Sequence, residues 1–302
     1  MRLMAPPDNV ISLEEELKKT DRLKLEDIED LRRRVNEIPS YPKNVPDVLF
    51  SWFLNCSNFE RDLAMKYMDI NLKLREQAPE LFENRDPLSA PLQTVWDLTE
   101  YYILPGLTAD GYKVFYAGVH DCEPTLYDFC DACKMFLMVG ETELVQHGLC
   151  KGIVVVMDCK GASFRHLLKV KLRTVKSFLS YVQEGIPINI AQIHVINVSP
   201  IVDKMNYIAK PFINKDLMDK VKFHSGEMKE FYETVPRELL PNEIGGTAGP
   251  RLNFRIASKE NLAKYREWFD FEKTLRLNYG KVNKNGRKVE EIDESLQDLC
   301  ID

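Results

Sequence analysis

The chain has 302 residues, room for one large domain or two small ones, and 44% of them are hydrophobic, enough to bury a core. A net charge of −6 offers no field for nucleic acid, so an anionic partner has to be met by a local basic patch. No apolar run reaches the ~18 residues of a membrane span, residues 1–9 lack the apolar core of a signal peptide, and seven unevenly spaced cysteines predict a reduced, cytoplasmic protein.

Ser12 to Lys19 and Leu25 to Ile38 read as helices, the second with Leu25, Ile28, Leu31 and Val35 on one face. Pro39, Pro42 and Pro46 interrupt the pattern, and Val48 to Cys56 and Glu60 to Arg75 resume it. A helical module over residues 1–90 closes there. After Pro91 the chain is expected to stay helical through Trp96 and Tyr101, with a strand over Tyr112 to Val119. Leu126 to Val145 reads as the next helix, in which Leu126, Cys130, Cys133 and Leu137 step onto a single face.

Gly152 to Met157, ending at Asp158, is apolar and β-branched without alternation, the pattern of a strand buried on both faces. Ser163 can cap a helix over Phe164, Leu167 and Leu168, and a second helix carries Val175, Phe178, Leu179 and Val182. Another buried strand follows over Ile190 to Val198. Strand, helical crossover and strand make a parallel pair. Pro200 opens a helix with Ile201, Met205, Ile208 and Phe212 at helical spacing. Short helices over Asp216 to Val221 and Glu227 to Val235, a turn over Pro241 to Gly249, a long amphipathic helix over Ala257 to Tyr279 and a polar tail from Lys281 complete the chain. The domain limits this gives are 1–90, 91–255 and 256–302.

Few motifs carry chemistry. Cys159 and Arg165, with five residues between them after a buried strand, have the layout of a cysteine phosphatase loop, but Asp158 beside the thiol would raise its pKa rather than lower it. Cys130 and Cys133 form a single C-x-x-C inside a helix, and the histidines at 120, 147, 166, 194 and 224 are scattered, so no metal site is expected. Phosphate-loop, dinucleotide, serine-hydrolase and zinc-protease signatures are all missing. Arg165, Lys169, Lys171, Arg173 and Lys176 form a basic run without acids, suited either to a solvated helix face or to anionic lipid headgroups.

Several ordered segments carry a resemblance: Val155 to Leu168, Ile193 to Val198, Lys210 to Phe212, His224 to Gly226, and Leu239 to Gly246 with its paired glycines. The chain resembles the CRAL-TRIO lipid-binding family, and within it the group of alpha-tocopherol transfer protein, cellular retinaldehyde-binding protein and clavesin. Leu49 to Phe82 is similar to the helical N-terminal module of the same proteins. The resemblance implies an α/β fold in which a mostly parallel sheet floors an apolar ligand cavity under a gate helix. It implies no enzyme activity and no cofactor; the hydrophobic molecule, a tocopherol, retinoid, carotenoid or phospholipid, is cargo. The implied lining is Leu126, Cys130, Cys133, Leu137, Met157, Phe164, Phe178, Tyr181, Val182, Ile186, Ile193, Val202 and Met205, with Tyr181 as the polar handle. Ile201, Val202, Met205, Ile208 and Phe212 would form the gate. Arg165, Lys169, Arg173, Lys176 and Lys220 would meet headgroups at an anionic membrane, which the protein would visit transiently. The tocopherol-carrier branch grips phosphoinositides with basic side chains where this chain has Ser57, Asn189 and Ala191. Alternatives are the Cys159 and Arg165 phosphatase, and a lipid-gated adaptor whose N-terminal helices bind a protein.

Overall fold

The computed structural model describes residues 6–43, 45–119, 124–226 and 228–285. His120, the expected helix start at Glu227 and the tail past residue 285 lie outside the described residues. Five helices come first: α1 (Leu13–Leu17), α2 (Leu25–Glu37), α3 (Asp47–Cys56), α4 (Arg61–Gln77) and α5 (Pro79–Phe82). The apolar stripes of α2, α3 and α4 pack on one another through Ile28, Leu31, Phe50, Leu54 and Met68, at about 1.5–3 kcal/mol for each fully buried side chain.

Next come α6 (Ala90–Leu98), β1 (Thr99–Ile103), β2 (Lys113–Val119), α7 (Phe129–His147) and β3 (Ile153–Asp158). They are followed by α8 (Phe164–Leu167), α9 (Leu172–Ser180), a π turn (Tyr181–Gly185), β4 (Ile190–Ile196) and α10 (Pro200–Ala209). The chain continues through α11 (Lys215–Met218), β5 (Val221–Phe223), α12 (Lys229–Thr234), α13 (Arg251–Lys264) and α14 (Arg266–Asn285). The sheet has the order β1-β2-β3-β4-β5, with β1 antiparallel to β2 and the other pairs parallel. It is an α/β fold with a helical N-terminal region and a mostly parallel sheet.

The register gives each sheet face its own set of side chains, because neighbours along a strand point to opposite faces. Phe115, Val155 and Ile193 share one face, under α7, where Phe115 stacks on Phe136 with ring centroids 4.5 Å apart. Tyr102, Val114, Tyr116, Val154, Val156 and Ile196 share the other, covered by Phe231, Leu240 and Ile244. Among the described residues no helix is long and apolar enough to cross a membrane.

Four elements depart from the sequence expectation. Tyr101 lies in β1 and not in a helix: α6 stops at Leu98, and the aromatic run behind it gains ladder partners on β2. Leu126 is not on the α7 face, because it ends a separate 3₁₀ turn and the Asp128 side chain, accepting from Asp131 N–H at 2.9 Å, starts α7 at Phe129. Val221 belongs to β5, paired with Ile193. The last helix is two, α13 and α14, parted at Tyr265.

The N-terminal module is tied to the sheet domain by a buried carboxylate. Glu16 accepts from Leu149 N–H at 3.0 and 3.1 Å, and Ile11 N–H donates to Val145 O at 2.9 Å. Gly148 makes the approach possible: its φ is +59°, and a Cβ there would stand 1.3 Å from Glu16 Oε1. Gly246 is needed for a similar reason, since its Cβ would meet the Leu240 carbonyl oxygen at 1.9 Å.

Candidate functional site

Among the described residues, two places offer room for a ligand. The first is the sheet face beneath α10. Met157 sits in β3, between β2 and β4, yet it is 37% exposed while Val155, two residues back on the same face, is 5% exposed. An apolar side chain in the middle of a parallel sheet is reached by solvent only where the covering helices leave a gap. Ile193 on β4 is also only half-buried. The α10 helix closes part of this face, with Ile201 and Val202 buried against Val195 and Cys159, and Met205 packed on them.

The rim of the gap is apolar and basic. Phe164 (54% exposed) and Leu168 (77%) project from α8, with Leu126 exposed nearby and Leu172 at the start of α9. Two contacts hold α8 beside its neighbours: Tyr127 stands edge-on to His166, and Lys204 Nζ of α10 lies 5.8 Å from the Phe164 ring. Ser163 caps α8 with its hydroxyl 2.8 Å from His166 Nδ1. Arg165, Lys169, Lys171, Arg173 and Lys176 on α8, α9 and the link between them are all exposed, and Arg173 also comes within 3.7 Å of Glu80. Lys220 is half-buried. Ile208, in the last turn of α10, is half-buried, and Phe212, expected on the same helix, lies in a 3₁₀ turn (Lys210–Phe212) with Pro211 at its second position, also half-buried.

The second place is a cavity of about 70 Å³ at the junction of the two modules, lined from α3 and α4 on one side and from α7, the π turn and α14 on the other. Its inner end is charged. Arg75 is 3.0 Å from Glu141 and 2.8 Å from Glu272, and Arg85 is 2.8 Å from Glu141 and 2.9 Å from Glu272. All four side chains are buried, and Trp268 Nε1 donates to Glu141 at 2.7 Å. Burial alone would push Glu141 up, but the two guanidiniums outweigh it and hold the carboxyl well below its usual range. Arg75 is correspondingly raised against the effect of burial, mainly by Glu141.

These contacts redistribute the expected site residues. Tyr181 is not a free polar handle, because its hydroxyl accepts from Arg75 and, at 3.2 Å, from Asn71 Nδ2. Asn71 also donates to Gly185 O at 2.7 Å, which fixes the π turn from the N-terminal module. Cys133, Leu137 and Val182 are buried against Leu81 and Phe82, with Cys130, Phe178 and Ile186 half-buried around them. Of the expected lining, Leu137, Tyr181 and Ile186 reach the junction cavity, Met157, Ile193, Val202 and Met205 lie along the open sheet face, and Phe164 projects from α8 beside Lys204 of α10. Asn71, Arg75, Glu141, Trp268 and Glu272 were missed. A signal existed, since Arg75 and Glu141 interrupt otherwise apolar helical stripes.

Cys159 is buried, and burial together with Asp158 pushes its thiol up to about 11, the reverse of what a nucleophile needs. Cys130 and Cys133 are likewise raised by burial, unlike a redox pair.

Comparison with known proteins agrees with this architecture. Residues 99–246 match the CRAL/TRIO domain, and residues 20–92 match the Pinta-like UBA domain. Among curated proteins, the alpha-tocopherol transfer protein-like protein of Homo sapiens is 27% identical over 245 residues, covering 80% of this chain and 71% of its own length. That of Mus musculus is 26% identical over 244 residues, with the same coverage. The crystal structure of Sfh5 aligns with a TM-score of 0.40 and 16% identity over 68% of this chain and 81% of its own. The sheet and the helices that cover it, from Thr99 to Gly246, are a CRAL/TRIO domain.

Proposed function

We propose that this protein binds a hydrophobic small molecule on the α10 side of its sheet and carries it between membranes through the cytoplasm. The observation that carries this reading is the solvent-reached Met157 on β3, an interior strand whose other residues are all buried. An apolar floor of that kind replaces the water around a hydrocarbon chain, at ~0.8 kcal/mol for each buried CH2, so a tocopherol, retinoid, carotenoid or phospholipid tail can be held without any reaction. Catalysis plays no part in this reading.

Delivery needs the mouth of that gap to meet a bilayer. Phe164, Leu168 and Leu172 would enter the acyl boundary while Arg165, Lys169, Lys171, Arg173 and Lys176 face anionic headgroups, at about 1 kcal/mol per basic residue. The α10 helix, half-buried at Ile208 in its last turn, would swing aside as the gate together with the 3₁₀ turn that carries Phe212. The exposed basic run takes the place of the basic residues missing at Ser57, Asn189 and Ala191.

Met157→Glu tests the floor directly. The position is exposed enough to take a charge without unfolding, so the circular dichroism spectrum should be unchanged while uptake of fluorescent tocopherol or retinoid analogues from vesicles is lost. Full uptake by this variant would overturn the sheet-face reading. The Pinta-like UBA match over residues 20–92 favours a second reading, in which those helices also engage a protein partner. A pull-down with the loaded and the empty protein separates a lipid-gated adaptor from a constitutive one.

A further inference from the structure

We propose that the cavity at the junction of the two modules is a second binding site, for a small uncharged amphiphile that brings a hydrogen-bond acceptor. Its inner end is bounded by the buried residues Trp52, Asn71, Arg75, Tyr181 and Trp268. Its outer part is bounded by the half-buried apolar side chains Leu49, Leu72, Ile186 and Ile188. The site is therefore polar inside and apolar toward its mouth.

The unmet groups set the ligand's chemistry. Trp52 is 3% exposed, yet its indole N–H has no hydrogen-bond partner among the described residues, and the same holds for Arg75 Nε. A buried donor without an acceptor is costly, and indole can only donate, so the ligand must supply an acceptor oxygen or nitrogen. The ligand must also be neutral. Two guanidiniums, Arg75 and Arg85, already balance two carboxylates, Glu141 and Glu272, at 2.8–3.0 Å. A carboxylate would be a third acid beside that pair, and an ammonium would find both acids already engaged.

Size agrees with a small head and a short apolar stem. The cavity's 70 Å³ is less than half of the ~150 Å³ that holds benzene in an engineered apolar cavity, so the head and its first carbons fit inside while the rest lies along the mouth. An alcohol, ketone or amide on a short hydrocarbon meets all three requirements. Bound there, it touches α3 and α4 of the first module and α7, the π turn and α14 of the rest, and so joins them.

The chain's three tryptophans make the site readable, since Trp52 and Trp268 line it and Trp96 does not. The full-length protein would be titrated with 6-bromohexan-1-ol and with 6-bromohexanoate, whose bromine quenches nearby indoles. The alcohol is expected to quench part of the emission saturably and the carboxylate only linearly. Trp52→Phe, read through Trp268, should weaken the alcohol about fivefold, as for one lost neutral hydrogen bond. Leu72→Phe, at the half-buried mouth, should abolish saturation without disturbing the fold. Quenching by the alcohol that stays linear, equal affinity for the carboxylate, or saturation unaltered in Leu72→Phe would each overturn the proposal. The Met157→Glu protein should keep the saturable quenching. Its loss there would show that the junction is not separate from the sheet-face site, whereas the sheet-face reading itself stands or falls on lipid uptake alone.

Discussion

The two faces of the sheet are made from alternate residues of the same strands, yet one is sealed and the other is left ajar. On the sealed face Asp158 accepts from Tyr116 O–H, from Asn197 Nδ2 at 2.7 Å and from Lys160 N–H at 2.9 Å, with Arg251 at 3.6 Å. Arg251 also reaches Glu100 at 3.3 Å, which pins the start of α13 across the strands, and Tyr102 stacks on Tyr116 with centroids 4.8 Å apart. On the facing side, Met157 has solvent above it. Directional hydrogen bonds and ion pairs among buried groups hold their elements in one arrangement, whereas apolar contacts between α10 and the sheet can be exchanged for contacts with a lipid. The rigid face keeps the floor in shape while the loose face can change.

Neighbouring substitutions would break that contrast most sharply. Asp158→Ala strands a tyrosine hydroxyl and an arginine on the sealed face and should cost about 3 kcal/mol in denaturant unfolding, whereas Met157→Ala, one residue away on the open face, should cost less than about 1 kcal/mol. Equal costs would remove the distinction between the faces.

The sealed face should also carry a distinct acid sensitivity between about pH 6.5 and 4, above the range in which Glu141 titrates. His194 and His224 stack there with Nδ1 and Nε2 2.9 Å apart, and His194 Nε2 lies 3.0 Å from Gln192 Oε1. Burial, then His224 and Lys222, lowers His194 to about 4, so the unfolded chain, titrating near 6.5, binds the extra proton. Its contribution is therefore complete above pH 6.5 and is lost as pH falls toward 4. The loss amounts to about 3 kcal/mol, and His194→Gln should flatten the stability profile over that window. An unchanged profile would place the acid sensitivity elsewhere.

The open face predicts a smaller effect, on rate and not on stability. Leu168→Ala at the rim should shift unfolding by less than about 0.5 kcal/mol and slow delivery of cargo to anionic vesicles several-fold, with the slowing removed by neutral vesicles or high salt. A transfer rate equal to that of the parent protein would take α8 out of the membrane contact.

Much of the architecture was legible in the residues. An unbroken β-branched run marked β3, a largely aliphatic one interrupted by Gln192 and His194 marked β4, and Pro200 marked the start of α10, because those signals are local. Short or ambiguous runs failed: β5 has three residues, and the spacing from Trp96 to Tyr101 fits a helix until β2 supplies ladder partners. Met157 and Ile193 could be assigned to the floor from strand alternation, but whether helices would cover them could not.

Composition and periodicity by themselves determined the longer helices and the strands β2, β3 and β4, and that β3 is apolar along nearly its whole length, since each depends on side chains a few residues apart. Tertiary structure alone decided that Tyr181 is occupied by Arg75 and Asn71, that four buried charges close the module junction, and that a gap stands over Met157. The first two turn on contacts between residues from 56 to 187 or more apart in the chain, and such contacts exist only once the helices have taken their places on the sheet.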